Sequence, residues 1–482
     1  MDQSTTPLVD ALTHCANRPN AAFYTPGHTR GQGITERQRH LFGSAAFRAD
    51  LPELPDLDNL FAPEGVILQA QQLAAEAFGA ERTWFLANGS TCGIEAAILA
   101  TCGPDDKLIL PRNVHSSAIS GLILSGATPI YVSPIYSAEW DMPMGVTPDS
   151  IEMALKEHPD AKAVLVVSPT YQGICSDLSA IAAITHAHSI PLIVDEAHGP
   201  HFAFHPDLPP TAMQSGADIA IQSAHKVRSA FTQAAMLHLQ DSLIDQDRLC
   251  KSLQLTQATS PSYLLLGSLD AARHQMATSG KQLMGKTIEM ANRATDTLRL
   301  FADLRLLQPS PKLPFQGDCT RLTVKVSNLA LTGFEADDIL HSKYSGSAEL
   351  PAHQTLTFIV SLGNTPEDIT HLIEGFIGLC NLPRKQSLTP QPGNRGQSPL
   401  PTVIKTPRQA FFSIQKALPV DHAIGHVSAE TICPYPPGIP ALLPGELITE
   451  GAIAHLQDTL AAGGIITGCA DPTLTTVMAV AT

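Results

Sequence analysis

Short apolar runs recur through the first half of the chain, at residues 83–87, 107–110, 129–132, 163–167 and 192–194. Each is the length of a strand and too short for a helix, and each reads as a strand buried on both faces. The stretches between them, 114–125, 149–158 and 178–189, carry apolar residues at helical spacing, as does a segment running from Ala62 through Leu68, Leu73, Ala77 and Phe78. Strands that alternate with helices predict a parallel sheet covered on both faces.

A chain of 482 residues exceeds what one core accommodates, so several domains are expected. Residues 1–60 are rich in proline and loop signals and read as an N-terminal arm, and 61–290 hold the strand and helix alternation. Beyond them the texture changes. Residues 322–326 and 355–360 alternate like strands and 366–380 like a helix, which predicts a smaller α+β domain over 291–381. Gly, Pro, Ser, Gln and basic residues dominate 382–407, a linker. Residues 408–482, with Pro434-Tyr435-Pro436-Pro437-Gly438-Ile439-Pro440, form a third, C-terminal α+β domain.

A hydrophobic content of 44% with 16% charged residues fits a globular enzyme. Lys and Arg total 30 against 45 Asp and Glu, a net charge of −15. That excludes non-specific nucleic-acid binding and attraction to an anionic membrane, and steers small cationic molecules toward the protein. The nine cysteines are scattered without a Cys-x-x-Cys pair, the pattern of reduced thiols in a cytoplasmic protein. No apolar run reaches membrane-spanning length.

The chemistry concentrates in two places. Gln222-Ser223-Ala224-His225-Lys226 follows the apolar run Ile219-Ala220-Ile221, and Asp195-Glu196-Ala197-His198 ends the strand Leu192-Ile193-Val194. A lysine to form a Schiff base and an acid to keep a pyridine nitrogen protonated are what pyridoxal phosphate (PLP) requires of its protein. Asp195 would stand at the carboxyl end of a strand, where open α/β sheets bind ligands. Asn88-Gly89-Ser90-Thr91 follows a strand and opens a helix over 92–101, so its N–H groups and hydroxyls form an anion site suited to a phosphate. Each residue also has a plainer account: Ser90 and Thr91 as helix caps, Asp195 as a capping aspartate, Lys226 as a surface lysine.

Taken together, these segments resemble the bacterial ornithine/lysine/arginine decarboxylases, PLP enzymes of the aspartate-aminotransferase fold (fold type I). The resemblance also runs through Tyr24-Thr25-Pro26-Gly27-His28, Leu54-Pro55-Asp56-Leu57-Asp58-Asn59-Leu60, Ala62-Pro63-Glu64-Gly65 and Arg112-Asn113-Val114-His115-Ser116-Ser117. It implies a large domain with a mostly parallel seven-stranded sheet, and decarboxylation of lysine, arginine or ornithine to an amine and carbon dioxide. It implies that Lys226 binds the cofactor and returns a proton after carbon dioxide leaves, that His115 stacks on the ring, and that Asp195 pairs with its nitrogen. Ala197 and His198 would lie beside the ring, with Gly89, Ser90, Thr91, Ser223 and His225 around the phosphate. Thr259, in Thr259-Ser260-Pro261-Ser262-Tyr263, would reach the phosphate of a neighbouring subunit, making the protein a homodimer or larger oligomer with shared sites. Glu349 would face the distal cation of a basic amino acid, with Glu446 or an acid from the 50–58 stretch of a partner subunit as alternatives. Thr29 and Val227-Arg228-Ser229 depart from the family pattern. The match begins near residue 20, so the N-terminal wing of the large inducible enzymes is expected to be absent.

Three rival readings are weaker. Gly280-Lys281-Gln282-Leu283-Met284-Gly285-Lys286-Thr287 fits a P-loop, but it follows a helical segment and not a buried strand. A metal site from Asp195, His198, His201 and His205 would need a regular helix, which Gly199, Pro200 and Pro206 oppose, so no metal is expected. Transamination on the same fold would use an arginine to clamp the α-carboxylate, and Arg321 is the candidate.

Overall fold

The computed structural model describes residues 1–482 except 241–242, 310–312, 384–400, 436–438 and 482. Most of the expected linker and Pro436-Pro437-Gly438 therefore lie outside the described residues. The chain forms two compact units, residues 1–100 with 193–284, and residues 101–192 with 285–482.

Seven strands carry the α/β architecture: β1 (Arg82–Leu86), β2 (Lys107–Pro111), β3 (Thr128–Val132), β4 (Ala163–Val167), β5 (Leu192–Asp195), β6 (Ile219–Ser223) and β7 (Ala235–Leu239). They belong to a mostly parallel central sheet. In the first unit the order is β1-β7-β6-β5, with β5 parallel to β6 and the other two pairs antiparallel. In the second it is β4-β2-β3, all parallel. The six helices that go with them are α1 (Val66–Phe78), α2 (Gly89–Thr101), α3 (Ser116–Ser125), α4 (Pro148–Glu157), α5 (Leu178–Ala187) and α6 (Tyr263–Leu298). Thr147 and Asp177 cap α4 and α5 by accepting the N–H of Ser150 and Ala180.

The strand and helix positions read from the hydrophobic pattern match to within one or two residues, with two shifts at helix starts. The helix expected from Ala62 begins at Val66. The preceding loop serves as its cap: the Asp58 carboxylate accepts the N–H groups of Glu64, Gly65, Ile67 and Leu68. Burial would raise the Asp58 pKa, but those bonds and the one from Asn59 hold it below the usual carboxylate value. The second shift is at α2, which starts at Gly89 and not at 92, so Ser90 and Thr91 lie in its first turn. Gly89 has φ of +79°, where a side chain is strained. Gly93 lets α2 approach the sheet: a Cβ there would meet Leu86 Cδ1 at 2.7 Å and Ile221 Cγ2 at 2.9 Å.

The literal P-loop, residues 280–287, lies in the interior of the 36-residue helix α6. Its N–H groups are spent on the helix ladder and cannot cradle a phosphate.

In the second unit, an antiparallel sheet of Arg305–Leu306, Arg321–Lys325, Thr355–Ile359 and Leu350–Pro351 packs with the helices Gly333–Tyr344 and Pro366–Cys380 around Leu322, Leu340, Leu356 and Phe376. Towards the C-terminus, strand Gln415–Pro419 pairs with Thr476–Val480 and Cys433–Tyr435 with Ile465–Thr467, and helix Glu450–Ala461 contributes Ile453 and Leu456 to their core. Among the described residues no helix is long and apolar enough to cross a membrane.

The N-terminal arm is held to α6 by charge. Asp270 and Arg273, both side chains fully buried, pair at 2.5 Å. Asp270 also accepts the N–H of Leu8, and Arg273 donates to the carbonyls of Gln3 and Thr5. Removing one partner leaves the other charge buried and uncompensated, which costs about 3–5 kcal/mol. Asp270→Ala is therefore expected to lower the thermal midpoint by several degrees, whereas Glu36→Ala, which breaks an exposed i,i+3 pair with Arg39, leaves it nearly unchanged. Equal midpoints for the two variants would contradict this account of the arm.

Candidate active site

Parallel β5 and β6 end side by side, with Asp195 opposite Ile221. Beyond β5 the chain turns at Asp195, whose Oδ1 accepts the N–H of Ala197 at 3.1 Å. Asp195 and His198 are 8% and 4% exposed. Beyond β6 the chain enters the one-turn helix Ala224–Val227, which carries Lys226. Lys226 Nζ lies 2.9 Å from His198 Nε2, so the two turns meet through these side chains. Beside them Ser223 Oγ donates to Ser90 Oγ at 2.9 Å, tying the end of β6 to the first turn of α2. His225 Nδ1 lies 3.2 Å from the carbonyl of Ala234. Thr91 is exposed. So is Thr259, one residue past Ala258, whose N–H donates to Asn88 Oδ1 at 3.3 Å.

The first unit therefore gathers Gly89, Ser90, Asp195, Ala197, His198, Ser223, His225 and Lys226. The chemistry of this set fits PLP. A helix N-terminus with two hydroxyls suits a phosphate, a buried carboxylate at a strand end suits a pyridinium, and a lysine sits on the next turn. His205, from the rival metal reading, follows only a short 3-10 turn, Phe202–Phe204, because Pro200 and Pro206 break the chain there.

His115 and Glu349 belong to the second unit. His115 is the N-cap of α3, its Nδ1 accepting the N–H of Ser117 at 3.2 Å. Glu349 is exposed and lines a cavity of about 520 Å³ with Asp368 and His371. Glu446 is no alternative: Arg112 grips it with two bonds of 2.9 Å. Arg321 is fully buried, with Asp318 at 4.0 Å, and burial lowers its pKa against the opposing charges of Asp318 and Glu349.

Sequence reasoning missed a buried polar chain directly behind the two turns. Glu196 Oε1 accepts the N–H of Ala212, and Oε2 accepts Gln222 Nε2, both at 2.7 Å. Gln222 Oε1 then faces His238 Nε2 at 3.1 Å, and His238 Nδ1 faces Thr83 Oγ1 at 2.8 Å. Glu196, Gln222, His238 and Thr83 are each 0–1% exposed. With the Gln222 amide donating to Glu196, its Oε1 accepts from His238 Nε2, and Thr83 donates to Nδ1. Burial raises the Glu196 pKa, opposed by Gln222, Ala212 and the buried cation Arg228. The detectable signal was a glutamine and a histidine inside otherwise apolar strands, at Gln222 and in Met236-Leu237-His238-Leu239.

Residues 6–322 match the family described as Orn/Lys/Arg decarboxylase, major domain, and residues 394–462 match its C-terminal domain. The chain belongs to the Orn/Lys/Arg decarboxylase family. It is 39% identical to an arginine decarboxylase of Bacillus subtilis, over 98% of this chain and 97% of the relative. It is 37% identical to an arginine decarboxylase of Halalkalibacterium halodurans, with the same coverage. Among solved structures, the lysine decarboxylase of Francisella novicida superposes with a TM-score of 0.82 at 22% identity, covering 98% of this chain and 79% of that one. The pyridoxamine-pyruvate aminotransferase of Mesorhizobium loti superposes at 0.52 and 15% identity over 65% of this chain and 83% of that one. The fold is thus that of fold type I PLP enzymes, the cofactor is PLP, and this family member is a PLP-dependent decarboxylase of basic amino acids.

Burial, with Arg228 adding to it, lowers the His238 pKa from 6.5 to about 3. The unfolded chain therefore binds a proton below pH 6.5 that the folded decarboxylase refuses, and stability falls as pH drops from 6.5 toward 3, by up to about 1.4 kcal/mol per pH unit. His238→Gln preserves both bonds, since its amide can donate to Gln222 and accept from Thr83, but it does not titrate. Thermal midpoints measured from pH 7 to 4.5 are expected to fall less steeply in this variant than in the parent. Parallel curves would contradict the assignment of a neutral His238.

Proposed function

We propose that this decarboxylase acts on arginine, converting it to agmatine and carbon dioxide. The observation that carries this reading is that relatives at 36–39% identity, aligned over nearly their whole length, are arginine decarboxylases. Three lysine decarboxylases, by contrast, match at 24–25%.

When bound, PLP supplies a protonated ring that takes up the electron pair released as the bond from Cα to the carboxylate breaks. The chain's own residues do the rest. Lys226 would hold the cofactor, and its Nζ, beside His198 Nε2, would carry the proton returned to Cα after carbon dioxide leaves. Asp195, buried at the end of β5, would pair with the pyridine nitrogen. Ser90, Thr91, Ser223 and His225, with the first N–H groups of α2, bind the phosphate, and His115 covers a face of the ring. A carboxylate site for the guanidinium would favour arginine through paired, charge-assisted bonds. Two chains complete each site, with Thr259 of one chain serving the phosphate of the other, and nine scattered cysteines without a Cys-x-x-Cys pair suit work in the cytoplasm.

The test is to incubate the purified protein and PLP with arginine, lysine and ornithine separately and to identify the amine formed by mass spectrometry. Agmatine is expected, with kcat/KM for arginine at least about tenfold above the other two. Cadaverine or putrescine as the dominant product would overturn the choice of arginine and leave the family reaction standing.

A further inference from the structure

The C-terminal part of the chain holds helix α3 at both ends. Ahead of its N-terminus, Arg112 follows β2, three residues before the N-cap His115. Its Nε and Nη2 each donate to one oxygen of Glu446 at 2.9 Å, its Nη1 donates to the carbonyl of Pro440 at 2.7 Å, and its Nη2 also reaches that of Ala441 at 3.3 Å. Glu446 is 1% exposed, and its Oε2 also accepts the N–H of Leu443 at 2.9 Å. The guanidinium lies over the Tyr131 ring, 5.8 Å from the centroid. At the other end of α3, Arg408 donates from Nη1 to the carbonyls of Ile123 and Leu124 at 2.8 and 3.1 Å. Those are carbonyls of the last helical turn, where a cation is favoured. Arg408 comes from the short helix Pro407–Phe411.

Two arginines of opposite origin therefore fix one helix. Arg112 reaches from the sheet into the C-terminal part, and Arg408 reaches from the C-terminal part onto the helix. Arg112 anchors the backbone that leads into the helix, and Arg408 anchors its last turn. The residue whose orientation depends on that start is His115, whose ring is already turned to cap Ser117. We propose that the C-terminal part acts as a two-point clamp on α3, and that Arg112, Glu446 and Arg408 are positioning residues for His115. This rests on the reading of His115 as the residue that covers the cofactor ring.

The test is a double-mutant cycle in the full-length enzyme, combining Glu446→Gln and, separately, Arg408→Ala with His115→Ala. Amide hydrogen exchange of residues 116–126 is followed in the PLP-free protein, and visible circular dichroism of bound PLP in the loaded one. Misplacing a catalytic group by about an ångström costs on the order of a hundredfold, so Glu446→Gln is expected to lower kcat/KM by about tenfold or more and Arg408→Ala by less. Both effects should vanish when His115 is already alanine, exchange along α3 should quicken, and the dichroic band should weaken. Arg408 is exposed, so its variant reports even where Glu446→Gln fails to fold. Equal losses with and without His115, or unchanged exchange in both single variants, would overturn the clamp. If His115→Ala alone keeps full activity and the full dichroic band, the role of His115 is wrong and the positioning proposal falls with it. The exchange data then still show whether the helix is clamped.

Discussion

Behind the two turns that carry Asp195 and Lys226, four polar side chains are almost completely buried. Glu196, Gln222, His238 and Thr83 are linked in one continuous hydrogen-bonded chain, which also takes in the N–H of Ala212. An unpaired buried polar group costs about 1–3 kcal/mol, and more when charged, so the arrangement is close to all-or-none. It fixes the carboxyl ends of β5 and β6 against β7 and β1. Asp195 precedes Glu196, Ser223 follows Gln222, and Lys226 comes three residues later, so the groups that the cofactor needs inherit their places from this chain. Arg228 supplies a compensating cation and lies over the Phe78 ring at 4.7 Å. That is a physical reason for an arginine at position 228, where the chain departs from the family pattern.

The first unit repeats the same economy in its arm. Asp58 spends its carboxylate on the start of α1, and Asp270 with Arg273 spends a buried ion pair on the backbone of residues 3–9. The acids of the 50–58 stretch are likewise engaged: Asp50 with His28, and Asp56 with Arg18.

Much of this was legible in the chain because hydrophobic period is a local property. The strand at 163–167 and the helix at 366–380 match their expected bounds without a shift, and the order of Ser90, Asp195 and Lys226 pointed to the cofactor before any geometry. What escaped was non-local or capped. The start of α1 was misplaced because its cap, Asp58, stands eight residues upstream of Val66. The polar chain joins residues 155 positions apart in sequence, Thr83 and His238, which no periodicity reveals. The bond of Arg112 to Glu446 spans 334 positions, so Glu446 looked available for substrate when its charge was already used. Glu349 was read from family position alone, and its exposure could not be seen in the sequence.

The central claim is that the end of β6 presents Lys226 as the covalent anchor of PLP, opposite Asp195 at the end of β5. The most direct measurement is borohydride reduction of the PLP-loaded protein, followed by proteolysis and peptide mass spectrometry. The account predicts one pyridoxyl-modified lysine, Lys226, in the peptide that contains Ser223 and His225. A label on any other lysine, with Lys226 unmodified, would contradict it.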